Sequence, residues 1–474
     1  MSNIKNKQPK EFFVNLINFL FLLFFFLIFI YSIYKSEFQI LNTNNRFFYN
    51  NLLLIFLLIF HTIIIFIKFI NFKTNLTIVA ISFYFSVFLI EIMASFYLAY
   101  YNNLGAAEEL NYKIAEEQNI TYDKRSFIEV YDDEIKKNKD IVMSMVPAYF
   151  KDEKFTNEEI YPLGGISNSL TLHCNESGSY STYFSDRFGF NNPDYVWDQK
   201  ADVILVGDSF THGACVDGGY DIASNLRNLI PKKNFINLGM GSNDTFLLYS
   251  SVKEYGTKLK PKIILWMHFE NDIVEMDTWG KNNEIALKYF HEDLNQSLFD
   301  NQKQIDKKLI NIIKNKYNKL KLNEKNKLPL VNNKIPKKSL IEITNLMRNI
   351  ILLRNLRTIM GFNNIVEYNP LFLDILTKAK NEINANDGKL IFVYLPSWER
   401  YKFKFINKSK LYQKDKILSE MKKISVPVID LDELYFNKHL DPLSLFPFRN
   451  RNHYTIEGYK NVANIIADQL TELN

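Results

Sequence analysis

The sequence predicts an α/β protein in which three membrane-spanning helices precede a doubly wound parallel sheet with helices on both faces and a helical insertion. Three observations predict it. The apolar excess of a chain with 40 Phe and 47% hydrophobic residues is concentrated in the first hundred positions. From residue 201 onward, short β-rich runs alternate with helical stretches. The residues able to do chemistry follow directly on the ends of those runs, where an open parallel sheet gathers its functional groups.

The first element is "FFVNLINFLFLLFFFLIFIYSIY" (12–34), too long for a signal-peptide core and without a small-residue cleavage site behind it. The second, "NLLLIFLLIFHTIIIFIKFI" (51–70), and the third, "NLTIVAISFYFSVFLIEIMASFYLAY" (75–100), are each long enough to cross about 30 Å of hydrocarbon. The short "NFKT" between them requires a hairpin. Lys5, Lys7 and Lys10 precede the first span, and Lys68 and Lys73 flank the hairpin turn. The opposite side carries Lys35 and Arg46, then the acidic Glu108 and Glu109. This charge bias predicts a cytoplasmic N-terminus, so three crossings put the large C-terminal part outside. His61 and Glu91 fall inside spans, where ionisable groups are costly. About seven residues of helix separate them in depth, roughly 10 Å, so they are not expected to pair directly.

Residues 101–160 are polar and helical, as in "AAEELNYKIAEEQ", and read as a stalk or linker to a domain over 161–474. The candidate strands of that domain are "DVILVGD" (202–208), "NFINLG" (234–239), "KIILWMHF" (262–269), "KLIFVYLP" (389–396) and "VPVIDL" (426–431). Near-continuous apolar strands separated by helices indicate a parallel sheet covered on both faces. A Lys/Asn-rich helical stretch at about 280–368 reads as an insertion between the third and fourth strands.

Charge and cysteine usage exclude several classes. A net charge of +5 over 474 residues, with lysines scattered among acids, argues against a nucleic-acid footprint. Two cysteines, no CxxC and no histidine pair at helical ligand spacing argue against a metal centre. No cofactor is expected.

The chemistry centres on Ser209. A serine hydroxyl is a poor nucleophile until a base takes its proton. His453, in "NRNHYTIEGY" before the final helix, is the candidate base. The carbonyl oxygen of an ester under attack needs donors already aimed at it. The N–H of Ser209, an N–H of the "GMGS" turn and the side-chain amide of Asn271 supply three candidates.

This order of parts resembles the SGNH/GDSL hydrolase family. Gly207-Asp208-Ser209 matches its first block and "NLGMGS" its second, with Gly241, or alternatively Ser242, as the oxyanion amide. The third block is matched at Asn271-Asp272, with Phe269 where the family has glycine. The last gives His453, but Asn450 stands where the family has the aspartate that orients the histidine. The resemblance covers roughly 160–474 and implies a flavodoxin-like sheet. The stretch "NESGSYSTYFSDRFGFNNPD" (175–194) also resembles a region of membrane-anchored bacterial members. Support for His453 is left to the carbonyl of Asn450, a backbone carbonyl, or Asp430, Asp432 or Asp441. Asp208 and Asp272 read as structural, His212 as lining the entrance and His268 as packed beside the third strand. "YSTYF" reads as a packed strand or a sugar-binding surface. With the domain in an oxidising periplasm, Cys174 and Cys215 are expected to share one environment, as a disulfide or as two buried thiols.

The three spans and the charge bias, with the resemblance to membrane-anchored bacterial members, predict a multi-pass protein of the bacterial inner membrane with its catalytic domain facing the periplasm. The reading is an esterase that removes acyl, above all acetyl, groups from glycans or lipids through an acyl-serine. Its partners are the acylated substrate, the bilayer and a membrane acyl-donor protein. Two alternatives share the evidence: an O-acyltransferase modifying a cell-envelope polysaccharide, and a non-catalytic glycan-binding assembly module.

Overall fold

The structure is a computed structural model that describes residues 7–38, 44–102, 106–150, 160–278, 280–326, 350–351, 353, 356, 369–402, 408–449 and 453–472. The chain forms two compact units: residues 1–103 with 335–367, and residues 104–334 with 368–474. The expected insertion is thus divided, its first part belonging to the sheet-bearing unit and residues 335–367 to the N-terminal one.

The first unit is built from α1 (Lys7–Phe38), α2 (Asn44–Phe66) and α3 (Ile70–Asn102). Pro9–Ile33 and Ile70–Ser95 are long and apolar enough to cross a membrane, and Asn51–Phe66 is a shorter apolar helix. The break between α2 and α3 lies at residues 67–69, not at "NFKT", which is already helical. Lys73 accounts for the shift, because from the first turn of α3 its Nζ donates to the Ile65 carbonyl (2.8 Å) near the end of α2. It also donates to Asn15 Oδ1 at 3.0 Å. Terminal carbonyls that α2 leaves unpaired are met this way by a side chain.

Polarity in this unit runs opposite to that of a water-soluble core. Phe12, Phe56 and Phe83 are more than 60% exposed, whereas Asn18, His61 and Glu91 are fully buried. Asn18 Nδ2 donates to Thr77 Oγ1 (2.8 Å), His61 Nδ1 meets Asn18 Oδ1 (2.8 Å), and His61 Nε2 meets Tyr84 Oη (2.9 Å). Glu91 Oε2 accepts the backbone N–H of Leu356 at 2.6 Å. His61 and Glu91 therefore have separate partners.

In the second unit, α4 (Ala106–Glu117) and α5 (Phe127–Lys137) correct the expected stalk. They bury Ala115, Ile128, Val130 and Tyr131, so both helices are packed parts of the domain. Their overall polarity concealed one apolar face. A small sheet follows, with β1 (Val142–Met143) parallel to β2 (Leu170–Asn175), which pairs antiparallel with β3 (Tyr180–Phe184).

The main sheet contains β4 (Val203–Gly207), β5 (Phe235–Asn237), β6 (Ile263–Phe269), β7 (Lys389–Leu395) and β8 (Val428–Asp430). Its order is β5-β4-β6-β7-β8, every pair parallel, with the strands where the apolar runs placed them. All of β4 is buried, as a strand covered on both faces must be. One face packs Val203, Leu205, Leu265 and Val393 against α7 (Ile222–Leu229) and α16 (Ile456–Glu472), through Ile222, Leu226, Val462 and Ile466. Each such aliphatic side chain contributes about 1.5–3 kcal/mol by leaving water. The other face carries Thr245–Ser251 and Pro370–Asn384, here α8 and α12. Chain order reverses at β4 and β6, so segments leaving their carboxyl ends border the crevice of the sheet.

Candidate active site

Ser209 opens a four-residue helix, α6 (Ser209–His212), directly after β4. Asp208 caps it, its Oδ1 accepting from the Phe210 N–H at 2.9 Å. The turn is tight enough to require glycine on both sides. A Cβ on Gly207 would stand 2.0 Å from Thr211 Oγ1, and one on Gly239 would stand 2.4 Å from the His212 nitrogen. The chain leaving β5 can therefore lie against the serine turn.

The imidazole of His453 arrives from the loop before α16 and places Nε2 2.8 Å from Ser209 Oγ. Its Nδ1 lies 3.0 Å from both carboxylate oxygens of Glu176, and its backbone N–H donates to Glu176 Oε2 at 2.8 Å. Glu176 sits in the turn joining β2 to β3. A hydroxyl, an imidazole and a carboxylate thus form one continuous chain.

Glu176 corrects the expected supports of His453. Asp430 accepts from the Glu433 N–H and pairs with Lys414 at 2.7 Å. Asp432 is held by Tyr401 and Lys414. Asp441 accepts from Arg449 Nη2 at 2.7 Å. Each is engaged elsewhere, and Asn450 lies outside the described residues. Glu176 precedes the serine in the chain, whereas the family pattern places the supporting carboxylate downstream, beside the histidine. A signal existed: Cys174, two residues before it, is joined to Cys215, six residues after Ser209. Taken as a bridge, that pair brings Glu176 to the serine turn.

The electrostatics suit proton transfer. Burial alone would lower the His453 pKa, but the charge and hydrogen bond of Glu176, with Asp208 adding, leave it raised above 6.5. Asp208 is itself pushed up to about 7, by burial first and then by Asp272. Asp272, capped by the Phe269 N–H, is raised well above the carboxylate range by burial. His212 is fully buried against His173 (4.7 Å between rings) and Tyr183 (5.1 Å), which corrects its expected place at the entrance. Burial keeps His212 neutral.

Two candidate oxyanion donors frame the serine. A Cβ on Gly241 would stand 3.9 Å from Ser209 Cβ and 2.8 Å from Val146 Cγ1, so this backbone runs close beside the nucleophile. Ser242 follows with φ of 60°, turning the chain there. Asn271 leaves β6, whose register pairs Met267 with Gly207, so the Asn271 and Ser209 turns emerge from neighbouring strands. Its Nδ2 donates to Glu275 Oε1 at 2.9 Å, which fixes the amide orientation and leaves its second N–H for another acceptor. Glu275 is pushed up to about 9, by burial first and then by Asp208, Asp272 and Asp244. The sequence assigns no role to Glu275, which lies on the helix Asp272–Thr278 that begins directly after Asn271.

No family model and no curated protein matches the chain. Solved structures to which it is similar include a member of the lipolytic protein G-D-S-L family from Veillonella parvula, at 13% identity and a TM-score of 0.32, covering 57% of this chain and 98% of that one. A lipase/acylhydrolase from Enterococcus faecalis matches at 11% identity and 0.32, covering 57% and 95%. The acetyl xylan esterase AlAXEase matches at 12% identity and 0.32, covering 57% and 99%.

Proposed function

We propose that this protein is an SGNH-type serine esterase acting on acyl esters, acetyl among them, of glycans or lipids. The observation that carries the proposal is the chain Ser209 Oγ–His453–Glu176 at 2.8 and 3.0 Å. His453 Nε2 takes the hydroxyl proton as Oγ attacks the ester carbonyl carbon. The negative charge that forms on the carbonyl oxygen is held by the N–H groups of Ser209 and Gly241 and by the Asn271 amide. The proton then passes from His453 to the departing alcohol, leaving an acyl-serine. Water, deprotonated by the same imidazole, releases the acid and restores the serine. Glu176 orients the ring and balances its positive charge in both halves.

A fluorophosphonate probe tests this reading: it should label Ser209, and His453→Ala should abolish the label. An absence of labelling in folded protein rejects the esterase. Asn271→Ala should lower kcat roughly 10²–10³-fold with little change in KM, because the lost hydrogen bond strengthens as charge develops. Steady-state kinetics on p-nitrophenyl acetate read this directly. An unchanged kcat removes Asn271 from the oxyanion site.

The same proposal anchors the enzyme in the bacterial inner membrane through α1, α2 and α3, with the catalytic unit facing the periplasm. Its support is the outward-facing Phe, Leu and Ile of the first unit around the buried Asn18 and His61, with Tyr84 half-buried on His61. That is the arrangement hydrocarbon solvent requires. Alkaline carbonate should leave the protein in the membrane pellet, and its release to the supernatant rejects the anchor.

A further inference from the structure

The Cys174–Cys215 disulfide is continuous with the candidate catalytic chain. Its Cα atoms are 4.9 Å apart, and it joins β2 to the segment that follows α6. Cys215 Sγ, a carboxylate oxygen of Glu176 and an imidazole nitrogen of His453 all lie within 4.8 Å of one another. The bridge therefore ends beside the imidazole, and Glu176 follows its other half by two residues.

The Glu176 carboxylate has little else to hold it. Among the described residues its hydrogen bonds all go to His453. Neighbouring hydrogen bonds also reach the turn: the Gly178 N–H donates to Asn175 Oδ1 at 2.9 Å. Asn175 Nδ2 donates to the Asp123 carbonyl (3.1 Å), the Asp123 N–H to the Gly178 carbonyl (2.7 Å), and the Thr182 N–H to Asp217 Oδ1 (2.8 Å). The bridge is the covalent link between the strand that delivers the carboxylate and the segment that presents the nucleophile.

We propose that this disulfide is the positioning element of the catalytic chain, and that its reduction uncouples Glu176 from His453, making the esterase active only when oxidised. The inference rests on the esterase reading above. The co-reactant is a dithiol reductant. One of its thiolates attacks a bridge sulfur, the S–S bond breaks, and a mixed disulfide forms. Its second thiol displaces the protein sulfur, so two electrons and two protons pass to Cys174 and Cys215, and the reductant leaves as a disulfide. A disulfide oxidant reverses the step. The site is then complete in an oxidising compartment and incomplete among reduced thiols.

Titratable groups facing His453 come from three elements: Glu176 from the β2–β3 turn with His173 on β2, Asp208 before α6, and His212 within α6. Of these, His173 and Glu176 lie within two residues of Cys174. His173 is held neutral by burial, so losing Glu176 governs the sign, and burial is left to lower the imidazole.

The test uses the full-length protein in detergent, with p-nitrophenyl acetate, a dithiothreitol titration and mass spectrometry to count free thiols. Reduction to two thiols should lower kcat about 10²-fold, the effect of a misplaced catalytic group. It should also move the acid limb of kcat/KM to lower pH, and reoxidation should restore both. In Glu176→Gln, reduction should change kcat by no more than about twofold, since the uncoupled group is already absent. The proposal is overturned by an unchanged kcat and limb with both thiols free, by an equal effect in Glu176→Gln, or by activity lost only as near-ultraviolet circular dichroism reports unfolding. Oxidised protein that neither turns over the ester nor labels at Ser209 overturns the esterase reading itself.

Discussion

Ser209→Ala is expected to lower kcat on p-nitrophenyl acetate by roughly 10⁶-fold, the loss seen when a serine nucleophile is removed from a working site. Residual turnover should remain roughly 10³–10⁴ above water, since the oxyanion donors and substrate contacts survive. His453→Ala should cost about as much, and the double variant no more than either single one, because the two groups act as a unit. Folding should be almost untouched. Ser209 Oγ makes one good bond, to His453 at 2.8 Å, and one long one, to Asp208 at 3.4 Å. A net contribution of about 1 kcal/mol per hydrogen bond then moves Tm by only about 2–4 °C. Substantial turnover by folded Ser209→Ala shows that water is activated directly, and it removes the acyl-serine from the mechanism.

How much of this was legible in the sequence depended on whether a feature is local. Each main-sheet strand is a short apolar run because both of its faces are buried, and this fixed the five strands to within a residue or two. Ser209 and Asn271 were legible because each directly follows such a run, and His453 because it stands just before the last helix. Glu176 was not. It lies in the turn of the β2–β3 hairpin, more than thirty residues before Ser209, and nothing in "NESG" marks a carboxylate aimed at an imidazole. The resemblance also directed attention downstream of the nucleophile, where Asp430 and Asp441 have other partners. The linker was misread for a different reason. In α5 the polar residues outnumber the apolar ones, yet Ile128, Val130 and Tyr131 are buried. Composition averages over faces that packing separates. Glu275 illustrates a third limit: its role is to hold Asn271, and a residue that acts through another carries no motif of its own.

The expectation for Glu176→Gln follows from the sign of its effect on His453. The imidazole must be neutral to accept the serine proton, so kcat/KM should climb with pH through the His453 pKa, which lies above 6.5 in the intact site. Glutamine keeps the shape and one acceptor but removes the charge. Burial, which opposes the imidazolium, is then less strongly countered, and the half-maximal pH should move down. The plateau should fall at the same time, because the imidazolium formed in the transition state loses its counter-charge. Replacing the equivalent aspartate of a serine protease lowers kcat about 10⁴-fold, and Glu176→Gln should fall between about 10² and 10⁴. Stability carries the same signature. A histidine raised in the folded state stabilises fully below its unfolded pKa, and that contribution disappears as pH rises through the folded value. Wild type should therefore exceed Glu176→Gln in Tm more at pH 5 than at pH 9. A plateau that falls with the limb fixed, and a Tm difference that ignores pH, would make Glu176 a brace for the β2–β3 turn and leave Ser209 and His453 as a dyad.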